Sequence, residues 1–194
     1  PGSLSMGIRQ PAGVVVGIAP WNAPVILSTR AVAFALAAGN TVVLKPAEIT
    51  PLTAIRLGEL AREAGIPEDV FQVLPGKGSV VGWRFVTHPA VRKVCFTGST
   101  EVGKRIMALC AARMTRVSLE LGGKSAALVL DDADLATVVP QIVGAGMHLS
   151  GQVCGAQTRV LVPRSRHDEA AEVAAAAAGR ITVGDPHDPA TVVG

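Results

Sequence analysis

Gly151-Gln152-Val153-Cys154-Gly155 frames one thiol between glycines, which leaves it open to an approaching substrate. Upstream, Leu119-Glu120-Leu121-Gly122-Gly123-Lys124 sets one carboxylate in an apolar, glycine-bounded segment. A thiolate is a strong nucleophile and a carboxylate can take a proton from water, so Cys154 reads as a candidate nucleophile and Glu120 as its general base. A free cysteine is also among the most buried residue types and often serves only as a small apolar side chain. The case for Cys154 therefore depends on what the other segments could do.

Thr97-Gly98-Ser99-Thr100-Glu101-Val102-Gly103-Lys104 follows an apolar run and must turn tightly into a helix start, presenting backbone amides to an anion such as a pyrophosphate. A glycine turn with no ligand is the plainer reading. Gly98 to Lys104 also fits the spacing of a nucleoside triphosphatase loop, but Arg105 stands where that motif needs Ser or Thr for magnesium, so this is a remote alternative. Lys45-Pro46-Ala47-Glu48 puts a cation and an anion three residues apart after a strand. They make either a surface ion pair of little worth or a grip on ribose hydroxyls. In Ala19-Pro20-Trp21-Asn22-Ala23-Pro24, Asn22 is either a helix cap or an amide donor to a developing oxyanion.

The elements that must carry these groups follow from the apolar pattern. Of the 194 residues 49% are hydrophobic while only 3% are aromatic, so Ala, Val and Leu have to fill the interior. Strand-length apolar runs occur at Val14–Ile18, Thr41–Leu44, Val70–Leu74, Lys93–Phe96, Arg116–Leu119, Ala126–Leu130 and Arg159–Val162. Helical patterns lie between them at Pro24–Ala38, Pro51–Ala64 and Thr100–Ala112, then at Asp134–His148, where Pro140 is expected to kink or delay the helix, and at Glu169–Ala178. The alternation predicts an α/β fold with an open, mostly parallel sheet and helices on both faces, its ligands gathered at the carboxyl ends of the strands. A domain boundary is expected at Gly122-Gly123.

Composition narrows the function classes. A net charge of +3 on scattered lysines and arginines argues against a nucleic-acid partner. The longest apolar runs fall short of the ~18 residues of a membrane span, and no signal-peptide pattern precedes them. Cys95, Cys110 and Cys154 are an odd count without metal-ligand spacing, so neither disulfides nor a metal site is expected and the setting is cytoplasmic. Cys95 and Cys110 read as core residues.

In this order, PWNAP (Pro20–Pro24), KPAE (Lys45–Glu48), FTGSTEVG (Phe96–Gly103), LELGGK (Leu119–Lys124) and GQVC (Gly151–Cys154) resemble the aldehyde dehydrogenase superfamily. The similarity runs from about Arg9 to Gly194, and the Gly2–Ile26 stretch is most similar to bacterial aromatic-aldehyde members such as vanillin or benzaldehyde dehydrogenases. The resemblance implies the core of a Rossmann-like dinucleotide-binding domain over 1–122 and the incomplete start of an α/β catalytic domain over 123–194. It implies NAD(P)-dependent oxidation of an aldehyde to a carboxylic acid through a cysteine thiohemiacetal and thioester. Cys154 would be the nucleophile, Glu120 the general base, and Asn22 with the Cys154 backbone N–H the oxyanion hole. Gly98, Ser99, Thr100 and Gly103 would line the pyrophosphate, with Ser99 nearest. Lys45 and Glu48 would meet the adenine ribose, and Trp21 would lie against the cofactor.

Because a carboxylate repels a 2′-phosphate, Glu48 favours NAD over NADP. A small aldehyde, aromatic by this resemblance, is the expected partner, and the full-length protein is expected to be a homo-oligomer. Leu149 departs from the family, many members having Asn there. Family members are also much longer, so the chain is expected to be a fragment that is inactive alone. A non-catalytic dinucleotide-binding module is the alternative.

Overall fold

Five of the apolar runs form one sheet in the computed structural model, which describes residues 2–194. They are β1 (Val14–Ile18), β2 (Thr41–Lys45), β3 (Phe71–Val73), β4 (Val91–Gly98) and β5 (Arg116–Leu121), in the order β3-β2-β1-β4-β5 with every pairing parallel. Parallel strands need crossover helices, and these leave both faces covered, which is why β1 reads as an unbroken apolar run. Alternation along β1 sends Val15 and Val16 to opposite faces. Val15 packs with Val42, Leu44, Val32 and Phe71, and Val16 with Val86, Val94, Phe96 and Ile106.

Helix α1 (Pro24–Ala37) opens with Pro24 at its first position, and the chain leaves it through Gly39 at φ +76°. Helix α2 (Leu52–Glu63) is followed by Gly65 at φ +88° in the same way. Pro51 caps α2 instead of lying inside it. These two helices supply Val32 and Ala54 to the Val15 face, while α3 (Trp83–Thr87) and α4 (Thr100–Ala111) supply Val86 and Ile106 to the Val16 face. Adjacent strands β1 and β4 thus send their following helices to opposite faces. At this switch the carboxyl ends of the strands open a crevice where ligands bind in such folds.

Contacts within the chain define two units, one ending at Leu121 and one running Gly122–Gly194. In the second, β6 (Ala126–Leu128) pairs in parallel with β7 (Arg159–Leu161), and α5 (Leu135–Met147) and α6 (His167–Gly179) pack a core of Val129, Leu135, Val139 and Ala170. Asp134 caps α5 by accepting from the Ala136 N–H at 3.1 Å and the Thr137 hydroxyl at 2.6 Å. Pro140 lies inside this helix, so of the kink or delay expected from the sequence the delay is not found. One lost backbone bond is outweighed where Leu135 and Val139 are both buried in the core. Strand β6 also stops two residues short of its apolar run, and α6 starts two residues before its apolar stripe. Among the described residues no helix is long and apolar enough to cross a membrane, and no group of three His, Cys, Asp or Glu could hold a metal ion.

Candidate active site

In the first unit the candidate residues cluster at the carboxyl ends of β1, β2 and β4. The Ala19 N–H donates to the Lys45 carbonyl at 3.0 Å, tying the Pro20–Pro24 turn to the end of β2. The cap position of α1 is Ala23, not Asn22, so the helix-capping reading of Asn22 is not the arrangement found. Asn22 is half-buried, and the Trp21 ring beside it is exposed.

Lys45 is 4% exposed, and its ammonium donates to the Pro46 carbonyl at 2.8 Å. Burial pushes its pKa down, and the nearby charge of Glu48 opposes that. Glu48 accepts a hydrogen bond from the Gly78 N–H at 2.7 Å. The pair is therefore not the plain surface salt bridge: each group is held by backbone, and both border the same loop.

That loop was not legible in the sequence. Gly78–Gly82 forms one π-helical turn running into α3, and it roofs a cavity of about 300 Å³ lined by Ile18, Lys45, Ser79, Trp83, Phe96, Val102 and Arg105. Two valines between glycines carry no helical or strand period, so the segment gave no signal by pattern. The Arg105 guanidinium stacks over the Trp83 ring at 4.6 Å.

The turn from β4 into α4 shows why it carries glycines. A Cβ on Gly98 would come within 2.5 Å of the Phe96 ring, and one on Gly103 within 2.7 Å of the Leu121 side chain. The absence of a Cβ at Gly98 thus lets the Phe96 ring lie against the backbone there, and α4 packs tightly on β5. Ser99 is the N-cap of α4, its hydroxyl accepting from the Val102 N–H at 3.3 Å, and Thr100 is the first helical residue. The helix N-terminus faces out of the sheet's carboxyl edge, a setting favourable to an anion.

Glu120 lies near the end of β5, in register with Thr97 of β4, and its carboxylate forms an ion pair with Arg30 of α1. The sequence reading missed Arg30, which stands ninety positions away. Beside the pair runs a cavity of about 390 Å³ whose lining includes Leu27, Cys95, Thr97 and Ser118. Burial pushes the Cys95 thiol above its usual pKa, with Lys93 and a hydrogen bond to Ser118 opposing it. Burial raises Cys110 too, against Arg113. Neither is poised as a nucleophile. Cys110 is a core residue as expected, whereas Cys95 is half-buried and borders this cavity.

Cys154 belongs to the second unit and is the one exposed thiol among the described residues. Helix α5 runs into a 3₁₀ turn at His148–Gly151, where Leu149 (φ 50°), Ser150 (φ 57°) and Gly151 (φ 74°) take left-handed backbone conformations in succession. The Gln152 N–H donates back to Leu149 at 3.0 Å, and the Ala156 N–H to Val153 at 3.1 Å, so Cys154 sits at the head of a turn. A Cβ on Gly123 would stand 4.0 Å from the Cys154 carbonyl oxygen, placing the Gly122-Gly123 segment alongside this turn.

The departure at Leu149 now has a physical cost. A left-handed L-residue loses roughly 1–2 kcal/mol, and Asn tolerates the conformation far better than Leu. Leu149→Asn is accordingly expected to raise the melting temperature by about 2–4 °C. A calorimetric scan in which the midpoint falls would refute this account of the turn.

The sequence pattern of the aldehyde dehydrogenase family matches residues 1–194, the whole chain. The chain belongs to the aldehyde dehydrogenase family. A vanillin dehydrogenase of Pseudomonas fluorescens is 44% identical over 197 residues, covering all of this chain and 41% of that protein. The mitochondrial succinate-semialdehyde dehydrogenase of Arabidopsis thaliana is 46% identical over 187 residues, covering 96% of this chain and 35% of its own length. Among solved structures, a mutant of aldehyde dehydrogenase C from Pseudomonas syringae, in complex with NAD+ and octanal, matches with a TM-score of 0.93. Its identity is 44%, and the match covers 96% of this chain and 38% of that one. A Mycobacterium tuberculosis aldehyde dehydrogenase complexed with NAD+ matches with a TM-score of 0.92 at 44% identity, again covering 96% and 38%. The chain thus spans about two fifths of the length of the aldehyde dehydrogenases it resembles.

Proposed function

We propose that this chain carries the cofactor site and the nucleophile of an NAD-dependent aldehyde dehydrogenase. The observation that carries the reading is the exposure of Cys154 at the head of a glycine-bounded turn, while Cys110 is buried and Cys95 half-buried. Roles follow from the motifs in which the residues stand. The Cys154 thiolate adds to the aldehyde carbon, and Asn22 with the Cys154 N–H holds the oxygen as it gains charge. Bound NAD supplies the hydride acceptor. Glu120 then takes a proton from the water that hydrolyses the resulting thioester, releasing the acid and the thiol.

The residues at the switch crevice suit a dinucleotide. Gly98 lets the β4–α4 turn close over the Phe96 ring, Ser99 and Thr100 open α4 with its backbone N–H groups available to a pyrophosphate, and Gly103 lets α4 sit close to β5. Lys45 lines the cavity roofed by Gly78–Gly82, Glu48 holds the Gly78 N–H at the start of that roof, and Trp21 presents an exposed ring after β1, a set suited to a ribose. Vanillin dehydrogenases match this chain at 44% and 46% identity, which makes an aromatic aldehyde the first substrate to try.

Glu48 offers a test of cofactor choice. Its carboxylate is fixed by the Gly78 N–H, so it cannot swing away from a 2′-phosphate without losing that bond. NAD is expected to be used in preference to NADP, and Glu48→Gln is expected to raise the NADP-to-NAD ratio of kcat/KM by roughly tenfold, the effect of removing one like charge at close range. Equal efficiency with both cofactors before substitution would count against this role. Reduced cofactor formed from an aromatic aldehyde, followed by its absorbance, tests the activity itself. A protein that binds NAD yet reduces none with any aldehyde would instead be a dinucleotide-binding module.

A further inference from the structure

The Arg30–Glu120 ion pair joins two elements distant in sequence and occupies the very carboxylate that the proposed reaction needs. Glu120 projects from β5 on the sheet face shared with Cys95 and Ser118, the face that α1 covers, and Arg30 reaches it from the second turn of α1. Both side chains are about half exposed, 46% and 50%. That exposure separates a latch from a fixture. A fully buried pair would cost far too much to open during turnover, whereas an exposed one opens readily. The cavity of about 390 Å³ beside them gives the carboxylate room to move once released.

The geometry points to Arg30 as a positioning residue that latches Glu120 in a resting orientation, from which the carboxylate must be freed before it can accept a proton from water. This rests on the reading of Glu120 as the general base. Arg30 itself takes no part in forming or breaking bonds. While the pair is closed, Oε1 of the carboxylate is engaged by the guanidinium and its orientation is fixed. Opening the latch is then a step of thioester hydrolysis and not of thiol attack or hydride loss, because Glu120 enters only in hydrolysis.

The test is a single-turnover experiment with NAD and an aromatic aldehyde, reading cofactor reduction for the first half-reaction and acid release by rapid quench for the second. In Arg30→Gln the ratio of the second rate to the first is expected to rise about two- to fivefold, the range open to an exposed pair. Arg30→Met gives a second charge-free variant, and one reduced cofactor per Cys154 in the burst certifies that a variant is folded. Arg30→Lys, which keeps a cation within reach, is expected to hold the parental ratio. A ratio that is unchanged or lower in the charge-free variants overturns the latch, as does a Lys variant that behaves like Gln. Failure of the underlying reading looks different: Glu120→Gln would then hydrolyse its thioester at the parental rate.

Discussion

Cys154→Ser is expected to lose roughly 10³- to 10⁶-fold in aldehyde-dependent cofactor reduction, the range seen when an enzyme loses its nucleophile. A serine hydroxyl is not ionised near neutral pH and has no paired base in this turn's own sequence, so substituting oxygen for sulfur removes the reacting species and not merely some of its strength. The other two cysteines supply the control. Cys110 is buried and Cys95 half-buried, and burial raises both thiols, so Cys95→Ala and Cys110→Ala are expected to keep activity, and a haloacetamide should label Cys154 first. Retention of activity in Cys154→Ser, or equal labelling of all three, would remove the chemical basis of the proposed function.

Glu120→Gln is expected to produce a different failure. The substitution keeps the shape of the side chain and removes its capacity to accept a proton, which is worth about 10²–10⁴ in a step that depends on general base catalysis. The first half-reaction should survive, giving one equivalent of reduced cofactor in a burst, and the acyl group should then remain on Cys154. Intact-protein mass spectrometry during turnover would show the added acyl mass. Steady-state turnover equal to the parent would assign the base elsewhere.

Much of this arrangement can be read from local chemistry. Strand β1 has the bounds of its apolar run, and α1 and α4 begin where proline and the Gly-Ser turn place them. Those signals are short-range: a side-chain period, a fixed φ, a cap. The Cys154 turn and the Gly98–Gly103 turn were legible for the same reason, since glycines mark positions where the backbone must be bare. What escaped was set by tertiary packing. Gly78–Gly82 forms a single π turn whose first N–H is taken by Glu48, thirty residues earlier. The partner of Glu120 lies on a helix that only the folded sheet brings near. The delay expected at Pro140 does not occur, because a local rule about proline was weaker than the burial of Leu135 and Val139 in the turn before it. The left-handed run at Leu149 and Ser150 was invisible for the opposite reason, because neither residue favours that conformation by itself.

Strand β1 is synthesised before any of the other four yet ends up at the centre of the sheet, with Val15 beside Val42 on one flank and Lys93 on the other. No hairpin can bring these neighbours together; each must be delivered by a long excursion of chain. Assembly is therefore dominated by contacts remote in sequence, the class that forms slowly and leaves apolar surface uncovered in the interim. A ribosome-bound nascent chain would hold Val16 without its Val94 and Phe96 partners until β4 had cleared the exit tunnel. In this architecture the earliest of these five strands to emerge must wait for the fourth before both its edges are paired.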